Sequence, residues 1–258
     1  MDLNLQGKTA LVTGASKGIG LAVAEVLARE GCALHLVART ARDLEAARSR
    51  VARAGDVQVR VHAMDLSRQG SAAALAQACP DADILVNNAG AIPGGDLESI
   101  DEARWREAWD LKVFGYINLT REYLRRMKAR GAGAIVNVIG LAGERMDAGY
   151  VAGSAGNASL MAFTRAVGST SLDSGVRVVG VNPGAVETQR IERLFRTRAE
   201  KEHGDAGRWR EYFQALPLQR AAKPEEVADL VAFLASPRAS YISGTVVTLD
   251  GGIAARSR

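Results

Sequence analysis

The chain has 258 residues, 47% of them hydrophobic and 24% charged, the proportions of a globular protein with a buried core. Its net charge of +4 is a mild excess, and no contiguous Lys/Arg stripe of a nucleic-acid binder stands out beyond one segment near residue 200. The two cysteines, Cys32 and Cys79, are too few for a disulfide framework and read as reduced core thiols; the first seven residues do not resemble a secretory leader, and no apolar run reaches the ~18 residues of a membrane span, so a soluble cytoplasmic protein is expected.

In chain order, short apolar runs alternate with longer stretches of helical periodicity. Strands are expected at residues 8–13, 33–38, 57–62, 83–87, 134–139, 176–181 and 245–249. Helices are expected at 18–30, 40–54, 67–79, 100–129, 150–172 and 224–235. The strand runs are continuously apolar, as strands covered on both faces are. Strand–helix–strand alternation of this kind implies a parallel, doubly wound sheet with right-handed crossovers. No repeat, low-complexity tract or linker divides the chain, so residues 1–258 are expected to form a single α/β domain.

The first strand runs directly into Gly14-Ala15-Ser16-Lys17-Gly18-Ile19-Gly20, and a helix follows. Glycines there permit a tight turn and close backbone approach to a pyrophosphate, while the helix start offers free N–H groups and a positive dipole end. This context, after the first strand and opening the first helix, points to a Rossmann dinucleotide site. At the end of the second strand, where an NAD-selective site carries an acid, stand Ala38 and Arg39. Arg39 and Lys17, two cations with no carboxylate, suit a ribose 2′-phosphate and predict NADP(H) in preference to NAD(H). Both residues as plain solvated surface charges is the alternative.

These residues, with others downstream, resemble the short-chain dehydrogenase/reductase family over essentially the whole chain. Residues 13–20 resemble its cofactor loop, Asp65-Leu66 its adenine-contacting pair, and Asn87-Asn88-Ala89-Gly90 the motif after its fourth strand. The run Asn182-Pro183-Gly184-Ala185-Val186-Glu187-Thr188 is similar to the loop that reaches the nicotinamide carboxamide. Residues 223–228 and the Gly244…Asp250-Gly251-Gly252 segment complete the pattern. The resemblance implies a seven-stranded parallel sheet, NAD(P)(H)-dependent oxidoreduction of a carbonyl or alcohol, and a homotetramer or homodimer. It assigns cofactor contacts to Gly14, Ser16, Lys17, Gly18, Ile19, Gly20, Arg39, Asp65, Leu66, Asn88, Ala89, Gly90, Asn157, Pro183, Gly184, Val186 and Thr188.

One part of the family pattern is missing. Members normally carry a Ser that polarises the carbonyl, a Tyr acid/base in Tyr-x-x-x-Lys, and an Asn on the preceding long helix. An ungapped alignment places Gly140 at the Ser position, Gly153 at the Tyr position, Asn157 at the Lys position and Lys112 at the Asn position. Tyr150 lies three residues before Gly153, nearly one helical turn, so its phenol reaches the pocket only from the substrate side. Its own Tyr-x-x-x slot ends in Ser154, so it is read as a pocket-lining or packing residue and only secondarily as a proton donor. Lys112 is either a solvent-facing helix lysine or a repositioned ammonium that polarises a carbonyl or touches the cofactor. Asn157 can hydrogen-bond a ribose hydroxyl but cannot depress a neighbour's pKa as a cation does.

Residues 189–220 fall where the family builds a substrate lid. They carry eight cations against five carboxylates, with Leu194, Phe195, Trp209, Tyr212, Phe213 and Leu216 at roughly helical spacing. An amphipathic cap with a solvated basic face is the plain reading; a mobile lid that recruits an anionic substrate is the sharper one. Three functions follow: a short-chain oxidoreductase with a non-standard site, a dinucleotide-binding sensor or partner subunit without turnover, or a lyase or isomerase that keeps the dinucleotide as scaffold. No nucleic acid, membrane or metal is implied.

Overall fold

The computed structural model describes residues 1–256. Seven strands form one parallel sheet: β1 (Thr9–Thr13), β2 (Ala33–Ala38), β3 (Val59–Ala63), β4 (Ile84–Asn87), β5 (Gly133–Val138), β6 (Val176–Pro183) and β7 (Val246–Leu249). Their order is β3-β2-β1-β4-β5-β6-β7, so the winding reverses between β1 and β4. The single doubly wound α/β domain expected from the alternation is present.

Helices α1 (Gly18–Arg29), α2 (Ala41–Ala54) and α8 (Pro224–Ala235) bury apolar residues in one core on one face of the sheet. On the other face pack α3 (Ser71–Ala78), α5 (Gly115–Arg130) and α6 (Val151–Ser171), with α4 (Glu102–Trp109) at the sheet's upper end. Continuous apolarity describes the inner strands well; β6 is buried at every residue. The edge strand β3 departs from it, with no fully buried residue. Val59 and Val61 pack toward α2 while Arg60 and Ala63 are exposed. Burial also explains Arg177 on β6. Its guanidinium donates to the carbonyls of Leu234, Ala235 and Ser236, satisfying the C-terminal end of α8.

Two boundaries differ from the sequence reading in a way that matters. The helix expected at 100–129 is interrupted by a π turn at Asp110–Phe114, which separates α4 from α5. Such turns concentrate at functional sites and leave no trace in a 3.6-residue pattern. The 189–220 segment is α7 (Gln189–His203) followed by 3₁₀ turns at Ala206–Ala215 and Pro217–Gln219. Phe195, Trp209, Tyr212 and Phe213 pack on one another, and only Ala199 and Trp209 of the three elements are buried. Both cysteines are free, and among the described residues no helix is long and apolar enough to cross a membrane.

Candidate functional site

The crevice lies at the carboxyl ends of β1 and β4, the switch point where an open α/β sheet receives ligands. Thr13 locks the two strand ends together. Its Oγ1 donates to the Val86 carbonyl at 3.3 Å and accepts from the amides of Asn88 and Ala89 at 2.9 and 3.1 Å. The Asn88 side-chain Nδ2 in turn donates to the Thr13 carbonyl at 3.0 Å. That closeness forbids a side chain at Gly14, which has φ +64° and whose Cβ would stand 2.9 Å from Asn88 Nδ2. A Cβ at Gly20 would run into the Gly14 carbonyl. Lys17 occupies the N-cap of α1 in extended backbone and makes no side-chain cap. The first-turn amides at Gly18, Ile19 and Gly20 are therefore open to an anion, and the loop with Ser16 fits a pyrophosphate.

Thr188 closes this cradle from the far side, its Cγ2 within 3.3 Å of a Cβ built on Gly18. It caps α7 by accepting from the Ile191 amide at 3.4 Å. Pro183 ends β6, Val186 is buried, and Gly184 sits close against Asp250. At the other end, Arg39 follows β2 and is exposed, and it has no ion-pair partner among the described residues. Asp65 Oδ1 accepts from Ser67 Oγ at 2.7 Å and from its amide at 3.1 Å. Those bonds, with Arg39 and Arg68 nearby, hold its carboxyl below the usual range. Leu66 is buried beneath it. A cavity of about 190 Å³ opens between Arg39, Ser67 and the α4 side chains Arg104 and Glu107.

At the reactive end Lys112 is buried, at 9% exposure, which excludes the solvent-facing alternative. Its Nζ donates to the Ile139 carbonyl at 2.5 Å. Its stem lies where a Cβ on Gly90 would press on Cδ at 2.9 Å, which accounts for the last glycine of the 87–90 motif. Burial, reinforced by the Arg190 guanidinium, lowers the ammonium to about 7. The buried residues Ala108, Lys112, Tyr116, Leu119, Tyr123 and Met127 recur every three or four positions. Helical periodicity alone thus carried the signal that Lys112 faces inward.

Tyr150 stands at the N-cap of α6, and its ring fills the space that a side chain on Gly153 would take. The phenol oxygen accepts from Arg190 Nη2 at 2.6 Å, and the same nitrogen reaches the Ile92 carbonyl at 3.1 Å. Burial pushes the phenol up, with Arg190 opposing. Gly140 has φ +131°, a conformation that favours glycine, and its amide donates to Asn182 Oδ1 at 3.4 Å. A Cβ there would lie 3.0 Å from Asn157 Nδ2. Asn157 itself is buried, and its Oδ1 has no hydrogen-bond partner among the described residues. An unpartnered buried acceptor is costly unless a ligand hydroxyl meets it. The fold therefore gathers Lys112, Asn157, Gly140 and Gly153 with Tyr150 around one end of the crevice. Sequence reasoning missed Arg190 as the partner of Tyr150, for its only signal was the excess of arginines in the lid. It also missed Thr13 as the latch between β1 and β4.

A parallel Rossmann sheet with a glycine-lined anion cradle at its switch point defines a nucleotide-binding oxidoreductase fold. The chain belongs to the short chain dehydrogenase family, whose model matches residues 8–199. It is 34% identical to galactitol 2-dehydrogenase (L-tagatose-forming) of Cereibacter sphaeroides, over 96% of this chain and 95% of that one. It is 37% identical to cis-4-hydroxycyclohexanecarboxylate dehydrogenase of Sinomonas cyclohexanicum, over 96% and 97%. Among solved structures, L-sorbose reductase of Gluconobacter frateurii, in complex with NADPH and L-sorbose, superposes with a TM-score of 0.91. That similarity has 31% identity and covers 100% of both chains.

Proposed function

We propose that the chain is an NADP(H)-preferring carbonyl/alcohol oxidoreductase acting on an anionic substrate, with Lys112 in place of the family's usual proton donor. The observation that carries this reading is the buried Lys112 ammonium beside Gly140. The charged neighbour that acts on it is a second cation, Arg190, and among the described residues neither cation forms an ion pair with a carboxylate. Two neighbouring cations with no counter-ion are satisfied by an anionic ligand, or by negative charge developing on a carbonyl oxygen.

The family's amide on the long helix and ammonium on α6 are exchanged here, as Lys112 and Asn157. When bound, the dihydronicotinamide supplies the hydride; the chain's own part is the proton. One N–H of Lys112 is held by the Ile139 carbonyl, which leaves its others for a substrate oxygen. An ammonium lowered to about 7 yields its proton near neutral pH far more readily than an ordinary lysine. Asn157 Oδ1 is placed to accept from a ribose hydroxyl, and the Arg190–Tyr150 pair orients the anionic end of the substrate. A relative acting on a hydroxycyclohexanecarboxylate agrees with an anionic substrate. Gly140 and Gly153 favour a second reading, a binding protein without turnover.

NADPH and NADH titrations followed by a panel of ketones, with and without a carboxylate, decide between the two. NADPH is expected to bind more tightly, and Arg39→Asp to weaken it about tenfold or more, given ~1.5–3 kcal/mol for a charge-assisted contact. Equal affinities in the wild type remove the basis for the preference. Tight NADPH binding with no consumption over the whole panel establishes the second reading. The lid has its own test. Proteolysis of the NADPH complex is expected to cut first within residues 190–210, with protection when a turned-over substrate is added. Cleavage there as slow as in the core strands identifies a rigid cap.

A further inference from the structure

Away from the crevice, three metal-ligating side chains converge toward the opposite edge of the sheet. His35 lies on β2, His62 on β3 and Cys79 at the C-cap of α3. The His35 Nδ1 and His62 Nε2 atoms are 2.9 Å apart, and Cys79 Sγ lies 3.0 Å from the first and 3.3 Å from the second. Topology brings them together. The β2–β3 register pairs His35 with Arg60 and Val37 with His62, so both histidines project to the same face one pleat repeat apart. On that face α3 ends with Cys79 over the two rings.

We propose that His35, His62 and Cys79 form a His₂Cys site for one zinc-class cation, with the fourth position open to water. Thiolate and imidazole ligands select zinc over magnesium or calcium, and four-coordinate geometry is the rule for zinc. Protons alone satisfy the cluster poorly. Each ring nitrogen has a single in-plane position, either N–H or lone pair, so three mutual contacts cannot all become good hydrogen bonds. One ion facing three lone pairs serves them all.

Burial works for metal binding at the histidines and against it at the cysteine. Burial, with His62 and Arg60 adding to it, lowers His35 to about 4, and burial with Arg60 also lowers His62. Burial raises the Cys79 thiol to about 11. Binding displaces that proton to water as the S–H bond gives way to a sulfur–metal bond, and no electron moves. Ligand distances of about 2.0–2.1 Å for nitrogen and about 2.3 Å for sulfur require the triad to open by a few tenths of an ångström. His62, half-buried on an edge strand, has that freedom. A cavity of about 140 Å³ bordered by His35, Cys79, Arg60 and Asp81 admits the water ligand. The Arg60 charge works against a cation there, and Asp81 works for it. The ion would clamp β2 and β3 to α3, and these two strands lead to Arg39 and Asp65.

Cobalt(II) titration of the untagged, metal-free full chain tests the site. One equivalent is expected to raise a thiolate-to-cobalt charge-transfer band and the visible bands of a four-coordinate ion, with zinc displacing it and the thermal midpoint rising. Cys32→Ser keeps the band, because Cys79 is then the only thiol in the chain. Cys79→Ser abolishes it. His62→Gln weakens affinity by more than the about 10–100-fold that loss of an outer-shell partner costs. No band at saturating cobalt, or a band that survives in Cys79→Ser, overturns the proposal. Should Cys79→Ser not fold, the other two variants decide: loss of the band in Cys32→Ser, or unchanged affinity in His62→Gln, overturns it equally.

Discussion

Lys112→Met is expected to lower kcat/KM for carbonyl reduction by about 10²–10⁴, the range of a lost positioned acid, while NADPH affinity stays within a few-fold. The same substitution is expected to make the folded chain more stable at neutral pH. The folded-state value near 7 lies below the 10.5 of an ordinary lysine, so the unfolded chain binds more protons between those two limits. Wild-type stability therefore rises as pH climbs from about 7 toward 10.5, and the cost of the buried charge is fully present below 7. Methionine removes that cost and forfeits the hydrogen bond to Ile139. Set against each other at 1.36 kcal/mol per pKa unit, these leave a gain on the order of 3 kcal/mol at pH 7. Urea unfolding across pH 7–10 should show a wild-type stability that rises relative to that of the Met variant, so that the difference between the two proteins narrows with pH. In the reductive direction the wild-type rate should fall as pH rises through about 7, where Lys112 loses its proton. A Lys112→Met protein that is less stable and equally active makes Lys112 a structural lysine.

The fold was legible because most of its determinants are local. Seven apolar runs alternating with helical stretches specify the layers, and the glycine loop's place between strand and helix specifies the end that binds phosphate. What escaped reading involves contacts between distant segments. The Arg190–Tyr150 bond joins residues 40 positions apart, and the Thr13 latch spans more than 70. Nothing in the spacing of either pair announces the contact. The π turn escaped for a different reason. It adds a residue to a helix whose apolar stripe continues on both sides, so the pattern shows one long helix. The aligned positions 140 and 153 were legible as glycines, but their meaning was not. Only coordinates show a positive φ at the first and an aromatic ring standing in for a side chain at the second.

That ring makes the cost of filling position 153 depend on residue 150. Gly153 lies in the first turn of α6 with ordinary helical backbone, where replacing glycine by alanine stabilises by up to about 0.5–1 kcal/mol, the figure for a helix interior. Here the added Cβ overlaps Cε1 and Cζ of Tyr150, so the ring must leave its place and surrender its bond from Arg190. Overpacking of this kind costs about 1–3 kcal/mol. Gly153→Ala is therefore expected to destabilise the wild type and to stabilise the Tyr150→Ala variant. The sign reversal corresponds to a coupling of about 2 kcal/mol, measured by urea unfolding of the four proteins in a double-mutant cycle. By the same reasoning, Gly140→Ser with Gly153→Tyr and Asn157→Lys cannot restore the family's usual residues while Tyr150 remains. Serine at φ +131° adds about 1–3 kcal/mol of backbone strain to the clash. Removing Tyr150 in that triple variant should recover folding and is the condition for any gain in rate. If Gly153→Ala shifts stability by the same amount with and without Tyr150, the ring does not occupy that space and the reading of position 153 fails.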